Sequence, residues 1–131
     1  MTDADDLLQL DNQLCFALVT AARNVVAIYR PILEPLGLTH PQYLVMLALW
    51  ERAPRSLNDL AADLALDPAT VSPLVKRLES DGLLARRRST EDERRLDIVL
   101  TDAGQGLRAR ALEVPPQVMD AVGMDVAEIA A

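Results

Sequence analysis

Apolar residues recur at helical spacing in two short segments between Ser56 and Gly82. In the first segment, a serine suited to an N-cap precedes the apolar positions Leu57, Leu60, Ala61 and Leu64. In the second, Asp67-Pro68 supplies an N-cap acid and a first-turn proline, and the apolar positions are Val71, Leu74, Val75 and Leu78. This pattern predicts two helices, from Ser56 to about Ala65 and over residues 67–81, in the order of a helix-turn-helix.

The periodicity changes after Gly82. The pattern predicts one strand at residues 83–88, a polar tip at residues 89–94 and a second strand at residues 96–100. In the second strand, Leu96, Ile98 and Leu100 alternate with other side chains. A helix-turn-helix followed by such a hairpin is a winged helix. We expect it to span residues 40–101, with its wing at 83–101 and with 67–81 as the recognition helix that enters a major groove about 12 Å wide.

Further helices are predicted on both sides of this unit. Residues 7–30 are apolar around most of a helix, which therefore needs more than one neighbour, and in a small chain the second neighbour is another subunit. Thr39 or His40 opens the next helix, the expected centre of the core.

The chain after the wing is also predicted to be helical. Thr101 begins a helix to about Leu112, Pro115-Pro116 ends it, and residues 117–131 form a last amphipathic segment. We expect this segment to pack against the first helix of a partner subunit. The predicted fold is one mostly α-helical domain over residues 1–131, with a small β-hairpin wing and dimerisation helices at 7–30 and 102–131.

Charge is distributed unevenly along the chain. The net charge of −7, taken for the whole chain, argues against binding of nucleic acid. Seven of the 13 Lys and Arg residues nevertheless lie between Lys76 and Arg95, on the two elements that a winged helix presents to phosphates. The predicted DNA contacts are Thr70, Ser72, Pro73, Lys76, Arg77, Arg86 and Arg94. The alternative is a solvated surface whose arginines pair with Glu79, Asp81 and residues 91–93.

The chain shows no export or membrane signal. Its first residues are acidic where a signal peptide is basic, and the longest uninterrupted apolar run, Tyr43 to Trp50, is far below the ~18 residues of a membrane span. We therefore expect a cytoplasmic protein without a membrane partner. A single cysteine forms no internal disulfide, so Cys15 is either an inert core residue or a reactive thiol.

No enzyme-like constellation is apparent in the sequence. It contains no Gly-rich phosphate loop, no nucleophile-base pair and no metal-ligand cluster, since His40 is the only histidine. We expect a protein that is not an enzyme and that requires neither cofactor nor metal.

The order of elements resembles the MarR family of dimeric winged-helix regulators over nearly the whole chain. The most specific part is residues 92–104, Asp-Glu-Arg-Arg-Leu-Asp-Ile-Val-Leu-Thr-Asp-Ala-Gly, which is similar to the wing tip, strand and "LTxxG" ending of that family. Residues 10–18, together with Tyr29-Arg30-Pro31 and residues 39–43, resemble the OhrR branch, the organic hydroperoxide sensors. The resemblance implies a repressor that binds a pseudo-palindromic operator as a homodimer.

The same resemblance implies roles for three residues. Cys15 would be the peroxide-reactive thiol of a one-cysteine sensor, with a small thiol as a capping partner, and Tyr29 would help to activate it. His40 stands where the branch usually has a second tyrosine, and an imidazole also donates a hydrogen bond to a thiolate. Asp92 is expected to pair with a wing arginine and to shape the wing tip rather than to touch DNA.

Helix geometry adds a constraint on this site. If the first helix is continuous, Tyr29 lies about 21 Å from Cys15 along it at ~1.5 Å per residue, so the two meet only between antiparallel subunits. Two alternatives remain: a MarR-type regulator of a small aromatic or lipophilic ligand in which Cys15 is incidental, and a thiol peroxidase in which Cys15 turns over.

Overall fold

The computed structural model describes residues 4–123 as a mostly helical chain with one small antiparallel sheet, and this confirms the predicted fold class. The elements in chain order are α1 (Ala4–Leu7), α2 (Leu14–Leu33), α3 (His40–Glu51), β1 (Arg55–Ser56), α4 (Leu57–Asp63), α5 (Pro68–Ser80), β2 (Leu84–Arg88), β3 (Leu96–Leu100), α6 (Asp102–Ala111) and α7 (Val114–Val122). Single 3₁₀ turns lie at Leu10–Asn12 and Glu34–Leu36. The prediction for residues 124–131 falls outside the described residues.

Side chains cap three of the helices, α3, α4 and α6, where the sequence predicts helix starts. Ser56 accepts a hydrogen bond from the N–H of Asp59 at 3.1 Å, which starts α4. Thr39 and Gln42 form a reciprocal capping box that starts α3. At the start of α5, Asp67 has the extended backbone of an N-cap, although its side chain makes no capping hydrogen bond. After the end of α5, Gly82 adopts a left-handed conformation, with φ 80°.

Two helix boundaries and one short strand differ from the sequence prediction. The first long helix begins at Leu14, because Gln13 turns its amide back to the carbonyls of Leu7 and Gln9, at 2.8 and 2.9 Å. Pro115-Pro116 lies in the first turn of α7, where a missing N–H costs no helical hydrogen bond, so these prolines begin a helix rather than only ending one. The two-residue strand β1, too short to give a periodic signal, pairs with β3.

The core surrounds α3 and α5, and a tight joint connects it to α6. Buried side chains from α3, α4, α5 and the sheet form one cluster: Val45, Met46, Leu49, Leu60, Val71, Val75, Leu78, Leu84 and Ile98. Trp50 donates its indole N–H to the carbonyl of Gly104 at 2.9 Å, and a Cβ at Gly104 would overlap the carbonyl oxygen of Leu83. Thr101 accepts from the N–H of Gly104 and donates to the carbonyl of Gly82. The "LTxxG" residues therefore fix the wing to the start of α6.

The α2 helix is apolar but is hardly buried by its own chain. Leu33 is its only buried residue, while Leu14 and Leu18 are 74% and 60% exposed. Residues 14–36 have a mean hydropathy of 1.3, which by length and composition would suffice for a membrane span. Within the chain, α2 contacts α7, in which Val118 is buried, and α3. The sequence prediction had placed the contact of residues 117–131 with this helix across a subunit interface. Most of α2 therefore presents an apolar surface without a partner among residues 4–123.

Candidate DNA-contacting surface and thiol site

The exposed face of α5 carries the predicted DNA contacts. Val71, Val75 and Leu78 are buried at helical spacing and hold the helix against the core. Their burial turns the predicted contact residues outward: Thr70, Pro73, Lys76 and Arg77 are exposed, and Ser72 is half-buried. Pro73 lies inside the helix, so the carbonyl of Ala69 receives no helical hydrogen bond from it.

The basic residues of α5 and the wing divide into paired and unpaired groups. Arg77 pairs with Asp81 and Arg86 with Glu79, each at 3.5 Å, which are two of the partners that the solvated-surface alternative predicts. Lys76 and Arg94 are exposed and make no ion pair within residues 4–123. Arg87 and Arg88 of β2 are also exposed and make no ion pair among the described residues, so the unpaired cations lie on the outer face of α5, on β2 and at the wing tip.

Hydrogen bonds to the backbone shape the wing tip. The Ser89 hydroxyl accepts from the N–H groups of Glu91 and Asp92, at 3.2 and 3.4 Å. The Asp92 carboxylate accepts from the backbone N–H of Arg94 at 3.0 Å, whereas the sequence prediction had expected a wing arginine side chain as its partner. A carboxylate can hold a turn in this way without neutralising the arginine. The Arg94 guanidinium therefore keeps its charge available outside the turn.

The predicted thiol site is split between two regions of the chain. Cys15 is the second residue of α2 and is exposed. Tyr29 lies near the other end of the same unbroken helix, about 21 Å along its axis at ~1.5 Å per residue. Its ring meets that of His40, the first residue of α3, with centroids 4.8 Å apart and planes at 64°. Tyr43 also approaches Tyr29, with 5.9 Å between ring centroids. One chain thus assembles the two predicted activating rings but not the thiol.

Burial changes the acid-base properties of these rings. Desolvation lowers the pKa of His40 below its usual 6.5, so the imidazole is neutral at pH 7. Desolvation, and then the proximity of Tyr29, raises the pKa of Tyr43 above its usual 10.0. The cluster therefore offers neutral N–H and O–H donors near neutral pH, and not the imidazolium that would attract a thiolate more strongly.

Cys15 and Tyr29 mark the ends of one apolar stripe on α2. Intervals of three and four residues place seven side chains on one helix face: Cys15, Leu18, Val19, Ala22, Val25, Val26 and Tyr29. The four large aliphatic members remain exposed, at 60% for Leu18, 44% for Val19, 43% for Val25 and 37% for Val26. This is the spacing of a helix face that packs along another helix.

Two cavities lie near this region. One, of about 370 Å³, opens beside His40 and is lined by Val26, Arg30 and Leu38 among others. The second, of about 510 Å³, lies between α3 and the α6–α7 junction and has Tyr43, Leu47, Trp50, Leu112 and Pro115 as apolar walls, with Glu51 and Arg108 at its polar side. Residues 4–123 contain no group of three His, Cys, Asp or Glu side chains that could hold a metal ion.

Two contacts of these surfaces were not foreseen from the sequence. Trp50 was expected to be a core residue only, yet its N–H bonds to Gly104; a buried indole N–H that needs an acceptor was the available signal. Arg95 was counted among the cations facing phosphates, yet it contacts Asp59 at 3.0 Å and Asp97 at 3.1 Å. Asp59 is distant in sequence, so no local pattern indicated that pair.

Comparison with known proteins identifies relatives along most of the chain. A model described as the MarR family matches residues 38–96. The organic hydroperoxide resistance transcriptional regulator of Bacillus subtilis is 40% identical over 91% of this chain and 81% of its own length. The HTH-type transcriptional regulator TtmR of Methylorubrum extorquens is 43% identical over 97% of this chain, which spans 65% of that protein. The solved structure of reduced AbfR bound to DNA has a TM-score of 0.73 at 41% identity, covering 80% of this chain and 78% of that one.

Proposed function

Because this chain belongs to the MarR family of transcriptional regulators, we propose that it is a thiol-based repressor. Its homodimer binds a pseudo-palindromic operator while Cys15 is reduced and releases the DNA after an organic hydroperoxide has oxidised that thiol. The observation that carries the proposal is the α2 stripe, which has the thiol at one end, Tyr29 at the other and no partner of its own. A regulator of this kind acts in the cytoplasm, where the operator DNA lies.

The dimer follows from pairing the stripe with its own copy. Ala22 lies midway between Cys15 and Tyr29, and it is small enough to let two helices approach closely. An antiparallel pair centred on Ala22 sets Leu18 against the partner's Val26 and Val19 against the partner's Val25. All four exposed aliphatic residues thereby find apolar neighbours.

The same antiparallel pairing of the two α2 helices completes the sensing site. It carries each Cys15 to the end of the partner helix that bears Tyr29 and, beside it, His40. A parallel pair would instead bring the two cysteines together, away from these rings. Each of the two sites in the dimer therefore consists of a thiol from one subunit and two ring donors from the other.

The chemistry of such a site is a two-electron oxidation of sulfur. Tyr29 and His40 donate hydrogen bonds that favour the Cys15 thiolate over the thiol. The thiolate attacks the terminal oxygen of the hydroperoxide, the O–O bond breaks, and a sulfenic acid and an alcohol form, the latter after taking up one proton. A small thiol then condenses with the sulfenic acid to give a mixed disulfide and water.

Release of DNA follows from the crowding of this interface. An added oxygen atom or thiol cap does not fit between two packed helices without displacing one of them. The two recognition helices α5 are attached to this interface through α3 and the α6 joint, so their spacing changes with it. A free-energy difference of a few kcal/mol in favour of the displaced state is sufficient to release the protein from most of its operators.

The test compares the DNA affinity of wild type and Cys15→Ser. We expect one equivalent of cumene hydroperoxide plus a small thiol to weaken the binding of wild type to the DNA upstream of its coding region, and to leave Cys15→Ser unaffected. Reduction with dithiothreitol should restore wild-type binding. If both proteins keep their affinity, Cys15 is not the sensor.

The cavity between α3 and α6 supports a second candidate function. Its apolar walls and its two charged residues suit a small aromatic or lipophilic ligand lying between the DNA-binding and dimerisation parts. Unchanged affinity after peroxide, together with release on adding an aromatic carboxylate, would favour this regulator with Cys15 incidental.

We propose finally that the chain is a regulator and not a thiol peroxidase. A sensor thiol needs only to be oxidised once per switching event, and a peroxidase must turn over. Stoichiometric consumption of hydroperoxide in the presence of excess thiol is the expected result, whereas multiple turnovers far faster than those of free cysteine would establish the enzyme.

A further inference from the structure

We propose that Arg95 positions the wing for DNA binding by tying it to the first helix of the helix-turn-helix. Its guanidinium donates through Nη2 to Asp59 Oδ2 at 3.0 Å and through Nε to Asp97 Oδ1 at 3.1 Å. Asp59 belongs to the first turn of α4, and Asp97 to β3, the central strand of the sheet. Arg95 is therefore a positioning residue with no contact to DNA of its own, and this assignment rests on the DNA binding proposed above.

The Arg95 bridge lies at the base of the wing-tip loop, just before β3 begins. Arg95 immediately precedes β3, and its backbone carbonyl accepts from the N–H of Ser89 at 2.8 Å, which closes the base of the wing-tip loop. Arg94 is the next residue toward the tip, and its guanidinium makes no ion pair within residues 4–123. Because the Arg95 side chain is held against α4, the orientation of Arg94 toward the groove is fixed relative to α5.

The two carboxylates that hold Arg95 differ in burial, and Asp59 on α4 is the more exposed one, at 52%. The Asp97 side chain is only 10% exposed, and Arg95 is 43% exposed. Two carboxylates share one planar guanidinium, so the second bridge orders a side chain that the first has already restrained. The sheet pairs Ser56 with Asp97, which brings the start of α4 beside this strand and sets the distance that Arg95 spans.

The contribution of this connection to DNA affinity has an upper limit. A contact that biases the wing orientation changes affinity by no more than its own interaction free energy. Exposed and half-buried ion pairs of this kind correspond to a factor of at most about five in an equilibrium constant. We expect a loss of that size when either partner is removed.

Asp59→Asn separates this proposal from simple electrostatics. Removing an acid near DNA increases the positive field and by itself tightens binding. Loss of the Arg95 bridge instead weakens binding, so the two effects have opposite signs. The asparagine keeps the backbone N–H that Ser56 caps, which preserves the start of α4. Glu91→Gln is the matched control, because Glu91 is a wing-tip acid without an ion pair among the described residues.

The experiment measures affinity and its salt dependence with a fluorescent duplex that reduced wild type selects from a random pool. Asp59→Asn and Arg95→Gln should each weaken binding about two- to fivefold, and the double variant should be no weaker than either. Arg95→Gln should keep the wild-type salt slope, whereas Arg94→Gln should lower it by about one. Tighter binding by Asp59→Asn, as in Glu91→Gln, would overturn the proposal, as would a lowered slope in Arg95→Gln.

A second readout does not depend on DNA. In the free protein, amide hydrogen exchange at Ser89 should accelerate in Asp59→Asn and Arg95→Gln and stay unchanged in Glu91→Gln, because the bridge supports the loop that this amide closes. Unchanged exchange in all three variants would overturn the proposal. If wild type selects no duplex at all, the DNA-binding function fails, and the exchange result still decides whether Arg95 holds the wing.

Discussion

The ring of Tyr29 on α2 meets the ring of His40 at the start of α3 edge-on, with 4.8 Å between their centroids. Their neighbour Tyr43 extends the cluster to three rings. The contact places two hydrogen-bond donors from different helices at one point of the surface. A thiol that reaches this point from a partner subunit meets both donors together.

The buried imidazole makes the stability of the protein depend on pH. Because the pKa of His40 is lower in the folded protein than its usual 6.5, the unfolded chain takes up a proton first as the pH falls. The free energy of unfolding should therefore decrease as the pH falls from 7 through 6.5 toward the folded-state pKa, and then level off with respect to this residue. His40 is the only histidine, so His40→Gln should remove this part of the pH dependence.

Urea unfolding of both proteins between pH 8 and 5, at one protein concentration, provides the measurement. Carboxylates titrate in both proteins alike, so the difference between the two curves isolates the histidine. Parallel curves would mean that His40 is as solvated in the folded dimer as in the unfolded chain.

Ala22 is expected to lie on the two-fold axis of the dimer. In a Cys15→Ser background, Ala22→Cys would leave one cysteine per chain, opposite its own copy across the crossing. Mild oxidation should give a disulfide-linked dimer on a non-reducing gel. Ala21→Cys is the matched control, because it points about 100° away around the helix and should remain monomeric on the gel. Equal cross-linking of both variants would reject the antiparallel register.

The wing arginines should differ in their effect on DNA. Arg94→Ala should weaken binding and lower the salt slope by about one, because it removes an unpaired cation from the groove or phosphates. Arg86→Ala should change the slope less, since Glu79 already engages that guanidinium at 3.5 Å. Fluorescence anisotropy at several salt concentrations measures both. Equal slopes for the two variants would show that the Glu79 contact does not withhold Arg86 from DNA.

The joint between the wing and α6 should tolerate no side chain at Gly104. Gly104→Ala places a methyl group against the Leu83 carbonyl and should lower the free energy of unfolding by about 1–3 kcal/mol. Gly106→Ala lies in the same helix with open space around its Cβ, and it should raise stability by about 0.5–1 kcal/mol through helix propensity. Denaturant unfolding distinguishes these opposite signs, and destabilisation by both variants would argue against the close packing at Gly104.

Local signals accounted for most of the fold. Caps at Ser56 and Thr39, the Asp67-Pro68 start and the alternation in β3 each depend on near neighbours in sequence, so they were visible without the structure. The start of α2 was predicted too early because leucines at helical spacing continue before it. There the side chain of Gln13 competes for backbone carbonyls and turns the chain.

Long-range contacts account for what the sequence did not reveal. The two-residue strand β1 exists because β3 pairs with it, and no periodicity fits in two residues. The pairing of Arg95 with Asp59 joins positions far apart in the chain and leaves no spacing signal. The proximity of Tyr29 and His40 likewise depends on how α2 and α3 pack. The residues of the candidate sites were thus identifiable from the sequence and the family resemblance, while the contacts that they make in one chain required the fold.

The α2 helix bears the thiol of Cys15 near one end and the phenol of Tyr29 near the other, over a single run of 20 residues. In the antiparallel dimer proposed above, each α2 helix would contribute to both sensing sites. A shift of α2 that relieves crowding at one Cys15 also moves the Tyr29 ring that faces the second Cys15. Oxidation at one site should therefore affect the other site through the movement of this helix. The fraction of DNA released should then rise non-linearly with the fraction of Cys15 oxidised, and a strictly proportional titration would show that the two sites act independently.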